Sequence, residues 1–423
     1  MTWTLAVLPV AMLFLGAPVY LVFLASGLAT FAFVLTVPPV ALHQIMFGGL
    51  ENYALLAIPF FIYAGELMGG AGIARRLIDW VLALIGRVPG SLGVATVGAS
   101  TLIGAVSGSG AATVATVGKV LYPGLLRDGY GKNFSAGLVT SCGAIDVVIP
   151  PSIGMILFGA AAEVSIPKLF AAGVLPGLLI ALLMAMFVIY RAISLKIPTT
   201  GRFDLGHFLR TTREAIPALL MPVFILAGIY LGWFSPTEAG GFACVYAILV
   251  GRYVYRTMSW GDVLDAAINS AVLTAQILIT VATAGLFSWI LTINGIPQAI
   301  TNALIAMNLT PWGFLMAVNI ILLIVGCVLD PPPAILMLTP LLMPLVKALG
   351  IDPIHFGIIM TVNLAIGMFT PPFGLNIFVG QSVLGVPLET IYRGVMPFVW
   401  VQIVALLIIT YWPELSLILT RGI

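Results

Sequence analysis

Stretches long enough to cross a membrane carry almost no charge in this chain. Apolar runs occupy 4–36, 51–69, 168–190, 216–234, 236–251, 271–293 and 397–412, and further apolar stretches are interrupted by glycine and proline. About 20 such residues cross the hydrocarbon core of a bilayer as a helix. Lipid offers no hydrogen bonds, so a spanning backbone must satisfy itself, as a helix or a closed barrel does. Only 8% of the residues are charged and 61% are hydrophobic, whereas a soluble domain holds about 25% charged residues. The chain therefore reads as an all-α polytopic membrane protein. The first run lacks a basic leading region and is too long for a cleaved signal, so it is expected to stay as membrane structure. Whether 4–50 makes one long tilted span or two shorter ones is open at this level.

Straight spans do not account for the 28 prolines and 45 glycines. Placing Pro150-Pro151 over Pro371-Pro372, an offset of 221 residues, aligns eleven identities without a gap. Pro123 falls on Pro344, Thr140 on Thr361, Ala144-Ile145 on Ala365-Ile366, Ile156 on Ile377 and Gly159 on Gly380. Gly173-Val174 and Pro176 fall on Gly394-Val395 and Pro397. Such correspondence is the mark of an internal repeat. Charge orients the two copies. The segment 191–213 holds Arg191, Lys196, Arg202, Arg210 and Arg213 and is placed in the cytoplasm by the positive-inside rule. Tracing spans from it puts Arg87, Arg127 and Lys132 inside as well, with Arg252 and Arg256. Residues 70–135 contain six Lys/Arg, but the matching 291–356 contains only Lys347. Equivalent segments of opposite bias imply two inverted repeats.

Each repeat is expected to hold a re-entrant helical hairpin followed by a broken helix. The first hairpin covers about 90–127 with its tip at Ser107-Gly108-Ser109-Gly110, ahead of a broken helix over 133–163. The second covers about 311–350 with its tip at Asp330-Pro331-Pro332-Pro333, and the offset places Ser109 on Asp330. A proline removes a helical N–H and displaces the carbonyl four residues earlier. Pro150 and Pro151 are thus expected to free the carbonyls of Asp146 and Val147, and Pro371 and Pro372 those of Gly367 and Met368. A free carbonyl inside a membrane is costly unless something pairs with it. A hard cation, ligated by oxygen, answers that need. Ser107, Ser109, Thr113, Ser141, Asp146 and Ser152 surround the first break in sequence, and Asp330, Thr339, Asn363, Thr370 and Asn376 the second. Two such sites imply two sodium ions, while half-helix N-termini would attract a substrate carboxylate.

Plainer roles compete with these. Ser109 and Asp330 are also suited to be N-caps, with Pro331 at a favoured first helical position. Asp146 could form a structural ion pair with Lys119 or Lys132, although acids inside a membrane are functional by default. Lys119 is read as snorkelling toward the cytoplasm. Glu66 and Glu238, near segment ends, are read as interfacial or structural. Cys142, Cys244 and Cys327 are too far apart for a metal or disulfide pattern, and His43, His207 and His355 form no cluster. The glycine-serine tip lacks the lysine of a phosphate loop, and neither HExxH nor GxSxG is present, so nucleotide and protease chemistry are not indicated. The net charge of +2 gives no reason to expect nucleic acid.

At these residues the chain resembles the large membrane subunit of tripartite ATP-independent periplasmic (TRAP) transporters, the DctM type, over essentially its whole length. The carriers are Ser107-Gly108-Ser109-Gly110-Ala111-Ala112-Thr113-Val114-Ala115, Gly129-Tyr130 and Ile149-Pro150-Pro151-Ser152-Ile153. In the second half they are Pro236-Thr237-Glu238-Ala239, Thr339-Pro340, Asn363-Leu364 and Thr370-Pro371-Pro372-Phe373-Gly374. The resemblance implies a non-enzymatic elevator-type carrier of the ion-transporter superfamily. Sodium would be bound by Ser107, Ser109, Asp146 and Pro150 in one half and by Asp330, Gly367 and Thr370 in the other. An organic acid would lie against Gly108, Thr113, Ser152, Asn363 and Asn376. Asp146 departs from the pattern, because a small residue such as glycine is expected there; this implies a different substrate or a modified first sodium site.

The implied layout has N-terminal scaffold helices in 1–50 and a span with an arm helix in 51–86. Transport-domain half 1 follows in 87–165, then scaffold helices in 166–270 with a cytoplasmic linker at 191–215. A second span and arm occupy 271–308, transport-domain half 2 occupies 309–387, and a C-terminal scaffold helix occupies 388–423. The resemblance further implies two separate partners in the bacterial inner membrane system. One is a small four-helix membrane subunit of DctQ type, and the other is an extracytoplasmic solute-binding protein of DctP type. The competing functions are a stand-alone sodium/dicarboxylate symporter of the same superfamily and an ion channel lined by the hairpins.

Overall fold

The structure, a computed structural model, describes residues 3–33, 37–38, 40–86, 88–197, 204–306 and 310–422. Arg87 and Arg202 of the charge argument lie outside them. The first apolar run is not one helix. After a π-turn at Trp3–Val7, α1 (Leu8–Phe14) stops at Gly16, whose φ of +76° ends the helix, and α2 (Val19–Phe33) restarts after Pro18. The chain then forms α3 (Val40–Gly48), α4 (Ala57–Gly70) and α5 (Ile73–Ile85). On α5 the residues Ile73, Ala74, Leu77, Ile78 and Val81 are buried at helical spacing while Arg75 and Asp79 face outward. That single apolar stripe is the pattern of a helix lying along a surface.

The two repeats follow the same order of elements. The first contains α6 (Ser91–Ser107), α7 (Gly110–Arg127), α8 (Lys132–Val148) and α9 (Ile153–Ala162), followed by α10 (Ile166–Ser194). Between the repeats stand α11 (Leu205–Tyr230), α12 (Pro236–Leu249) and α13 (Trp260–Ile293). The second, preceded by α14 (Ile296–Ala306) as the first is by α5, contains α15 (Pro311–Gly326), α16 (Pro331–Ala348), α17 (Pro353–Gly367) and α18 (Leu375–Leu384), followed by α19 (Leu388–Tyr411). At the 221-residue offset, the starts of α7 and α8 fall on those of α16 and α17. Among the described residues, seven helical segments are long and apolar enough to cross a membrane.

The linker expected at 191–215 is largely helical. α10 runs through Ser194, and α11 begins at Leu205, so Arg210 and Arg213 belong to a helix. The reason is local. The Asp204 side chain accepts from the N–H of Gly206 at 3.0 Å and caps α11, and Arg210 pairs with Glu214 one turn on at 3.1 Å.

α8 and α17 form the centre. Nearly every residue of both is buried, as expected of helices whose faces are all apolar or small. They pack on each other, and α19, which follows the second repeat, lies along α8. The halves also interlock reciprocally, with α7 against α18 and α16 against α9. Around them, α4 packs against α12 and α13, and α13 against α2, while α11 packs against α5 and α12. Glycine permits the closest crossing. A Cβ on Gly137 or Gly394 would overlap the other helix's backbone, since Gly394 lies against the Asn133 carbonyl. Gly394→Ala should therefore lower thermal stability in detergent by about 1–3 kcal/mol. Gly241→Ala, whose added Cβ meets no atom within 4 Å, should change little. Equal unfolding midpoints for the two variants would count against the close crossing.

Candidate functional site

The first hairpin tip is built by residues that cannot continue a helix. α6 ends at Ser107, and Gly108 adopts the left-handed conformation at φ +59°. A Cβ on Gly108 would lie 2.8 Å from the Pro151 carbonyl oxygen, so the tip rests directly on the first double proline. The next glycine, Gly110, opens α7 in contact with the Gly143 carbonyl on α8. The Ser109 N–H donates to Ser107 Oγ at 3.2 Å, but the Ser109 side chain makes no capping bond.

Asp146 sits at the centre of this arrangement, fully buried on the last turns of α8. Its Oδ2 accepts from Thr113 Oγ1 at 2.6 Å and from Ser107 Oγ at 2.9 Å. Its Oδ1 has no hydrogen-bond partner. Opposite it is Gly104, where an added Cβ would be 2.7 Å from both Oδ1 and Cα of Asp146. The structural ion pair with Lys119 or Lys132 does not form: two hydroxyls hold the carboxylate instead, and Lys119 is exposed on α7.

The second tip uses the same plan with different chemistry. α15 ends at Gly326, whose backbone touches that of Gly367 on α17. Asp330 precedes α16, and its side chain makes no capping bond. By the repeat offset Ser109 corresponds to Asp330, Asp146 to Gly367, Ser107 to Val328 and Thr113 to Ala334. Between tip and break each half thus carries one carboxylate, Asp146 on the broken helix in the first and Asp330 on the hairpin tip in the second.

The breaks do not leave all the carbonyls that proline was expected to free. Ser152 Oγ donates to the Val147 carbonyl at 2.6 Å and accepts the N–H of Met155 at 3.4 Å, capping α9. At the second break the Gly367 carbonyl accepts from the N–H of Thr370 at 3.0 Å, and that of Met368 from the N–H of Asn376 at 2.9 Å. Local turns thus replace the helical donors that the prolines remove. Each carbonyl has two lone pairs, so one stays open on each. Both double prolines contain a cis peptide bond.

The other sequence candidates divide between the centre and the periphery of this site. Thr370 Oγ1 donates back to the Ile366 carbonyl at 2.7 Å. The Asn363 amide donates to Asn319 Oδ1 and to the Ile359 carbonyl, both at 2.8 Å, and Asn319 continues to Thr410 Oγ1 at 3.0 Å. Asn363 is therefore tied to α15 and α19. Ser141 bonds back to Leu138, and Thr339 Oγ1 lies 3.6 Å from Met360 Sδ. Asn376 is fully buried with neither amide atom hydrogen-bonded. It belongs to α18, yet its Nδ2 faces Gly143 and Gly110 of the first repeat. The N-terminal ends of α7, α9 and α18 consequently meet in one neighbourhood.

Gly104 is not among the residues singled out in the sequence, and Glu66 lies elsewhere than its sequence position suggests. Gly104 was one apolar-run glycine among many, although its offset position beside Gly326 was a usable signal. Glu66, read as interfacial or structural, lies with Ser107 on the walls of two crevices.

Residues 6–415 match the family model described as "Tripartite ATP-independent periplasmic transporter, DctM component". The chain is 44% identical over 374 residues to the C4-dicarboxylate TRAP transporter large permease protein DctM of Pseudomonas aeruginosa, covering 88% of each. It is 38% identical to the isethionate TRAP transporter permease protein DctMQ of Oleidesulfovibrio alaskensis, covering 96% of this chain and 64% of that longer one. The Neisseria gonorrhoeae MtrF structure superposes over 97% of this chain and 96% of its own, with a TM-score of 0.61 at 14% identity. That last likeness is one of fold.

The capping and ligand readings of the tips predict different stabilities. In sodium-free buffer, Ser109→Ala and Asp330→Ala should each change unfolding free energy by less than about 0.5 kcal/mol, as surface-like changes do. Ser152→Ala, which strands the Val147 carbonyl, should cost about 1–3 kcal/mol. Thermal unfolding of the three purified variants measures this. A loss at Ser109 or Asp330 as large as that at Ser152 would restore the capping role.

Proposed function

The chain belongs to the DctM family of tripartite ATP-independent periplasmic transporters, as a multi-pass membrane subunit and not an enzyme, and from that premise we propose that it imports an organic acid in symport with sodium. The acid is handed over by an extracytoplasmic binding protein of DctP type, and a small four-helix subunit of DctQ type completes the complex in the bacterial inner membrane. The fused DctMQ relative supports the second partner.

One observation carries the cation half of this reading. A buried carboxylate, Asp146, holds two hydroxyls on one oxygen and leaves the other without a partner, where the hairpin tip meets the helix break. An unpaired charge in an apolar interior is strongly disfavoured, and a small hard cation would neutralise it. Ser107, Thr113 and the remaining lone pairs of the break carbonyls are suitable oxygens. Asp330, Thr370 and the 367–371 backbone would serve a second ion. The anion half rests on the helix ends. The N-termini of α7, α9 and α18 place partial positive charge beside the unpartnered amide of Asn376. The named substrates of two relatives, a C4-dicarboxylate and isethionate, are both organic anions, the first a carboxylate as expected and the second a sulfonate.

In this reading the tips and broken helices travel as a body against a frame formed by α4, α12 and α13, as in an elevator. Two sodium ions with a monovalent anion would move one net positive charge inward. That gains about 2.3 kcal/mol per 100 mV, enough for roughly fiftyfold accumulation at about 1.4 kcal/mol per tenfold.

The test uses the membrane complex in proteoliposomes, with substrate offered on its binding protein and sodium and charge fluxes recorded together. Uptake should require an inward sodium gradient and the binding protein, and should carry one net positive charge per monovalent acid and none per dicarboxylate dianion. Full uptake without the binding protein would overturn delivery in favour of a stand-alone symporter. Uptake unchanged in potassium or choline would overturn sodium coupling, and channel-like currents without accumulation would overturn transport.

A further inference from the structure

Two crevices of about 180 and 120 Å³ separate α4 from the first hairpin. Both are bordered by Gly65, Glu66, Ser107 and Ala112, and one also reaches Ser109. Glu66 is the one charged residue among those described as lining either. It is half-buried, and none of the ion pairs among the described residues involves it. On the neighbouring α5 and α7, Arg76 is engaged and two further basic side chains are exposed. Arg76 donates to the Gly72 carbonyl at 3.0 Å and lies 3.7 Å over the Tyr255 ring, and Arg75 and Lys119 are exposed. The carboxylate therefore borders a small, mostly apolar gap in which it and a few serine and threonine hydroxyls are the polar groups, and the tip on the far side presents the Ser107 hydroxyl that binds Asp146.

The contact that places Glu66 there crosses the boundary between frame and tip. A Cβ on Gly65 would be 3.2 Å from the Ser107 carbonyl oxygen and 3.3 Å from its Cα. α4 otherwise packs on α12 and α13. We propose that the crevice between α4 and the first hairpin tip is a cation path, and that Glu66 is the residue that binds a monovalent cation on its way to or from the tip. The space admits a cation with a few waters, since one water occupies about 30 Å³ of liquid. A cleft lined by charge of one sign concentrates its counter-ion about tenfold or more. An acid here also disfavours an organic anion, so the coupling ion and the substrate would not share this wall. The inference rests on the first tip being a cation site.

The experiment reads the path separately from the coupling. A single cysteine introduced as Ala112→Cys, on the crevice wall, is labelled in the intact membrane complex with thiol reagents of equal size and opposite charge. Labelling at residue 112 is counted by mass spectrometry against the unmodified chain. The cationic reagent should react about ten times faster than the anionic one, and Glu66→Gln should erase the preference while Glu66→Asp keeps it. In uptake assays on the chain without the cysteine, Glu66→Gln should raise the sodium concentration for half-maximal rate severalfold. No charge preference, or one untouched by Glu66→Gln, overturns the path. A lost preference with an unchanged sodium requirement overturns the assignment of the path to the coupling ion. If uptake needs no sodium at all, the coupling reading fails while the labelling still decides whether the crevice selects cations.

Discussion

Each interruption deprives backbone carbonyls of their helical N–H and leaves them in need of a donor; Pro150 and Pro151 at the first are buried, whereas Pro372 and Phe373 at the second reach the surface. The rest of the structure is organised around meeting that need. At the first break a serine hydroxyl bonds the stranded Val147 carbonyl, and at the second two backbone N–H groups from the returning chain bond those of Gly367 and Met368. At the first break the non-helical backbone is tolerated because it is enclosed by protein. Enclosure in turn demands that hairpin tips approach the breaks closely, which selects glycine at Gly108, Gly110, Gly326 and Gly367.

The repeat shares a backbone plan and divides its chemistry. Equivalent positions hold equivalent helix boundaries, yet the acid sits on the broken helix in the first half and on the tip in the second. Where Gly367 meets Gly326 backbone to backbone, Asp146 needs extra room and obtains it because Gly104 has no side chain. The two hydroxyls that hold Asp146 have apolar counterparts, Val328 and Ala334, at the other tip. The two tip-and-break regions therefore differ in where their charge lies. Asn376 links them, since it belongs to one repeat and faces the glycines of the other.

Much of this was legible in the chain. The apolar runs established a helical membrane protein, and the double-proline offset located both tips and both breaks within a few residues. Local competition defeated other expectations. Proline identifies which carbonyls lose a helical partner, but not that Ser152, Thr370 and Asn376 replace it. The basic segment after α10 looked like a linker because charge was weighed there without its Asp204 cap and its Arg210–Glu214 pair.

Sequence alone determined the class and the positions at the double prolines and glycine-rich tip where helices must stop. Those properties follow from transfer energies and from the geometry of proline and glycine, which act within a few residues. Tertiary structure decided which polar groups meet. Asp146 had candidate partners in Lys119 and Lys132, and folding gave it Ser107 and Thr113 instead. Glu66 had no evident partner, and folding set it across a crevice from the first tip. Such contacts join residues far apart along the chain, and their register depends on how closely whole helices pack.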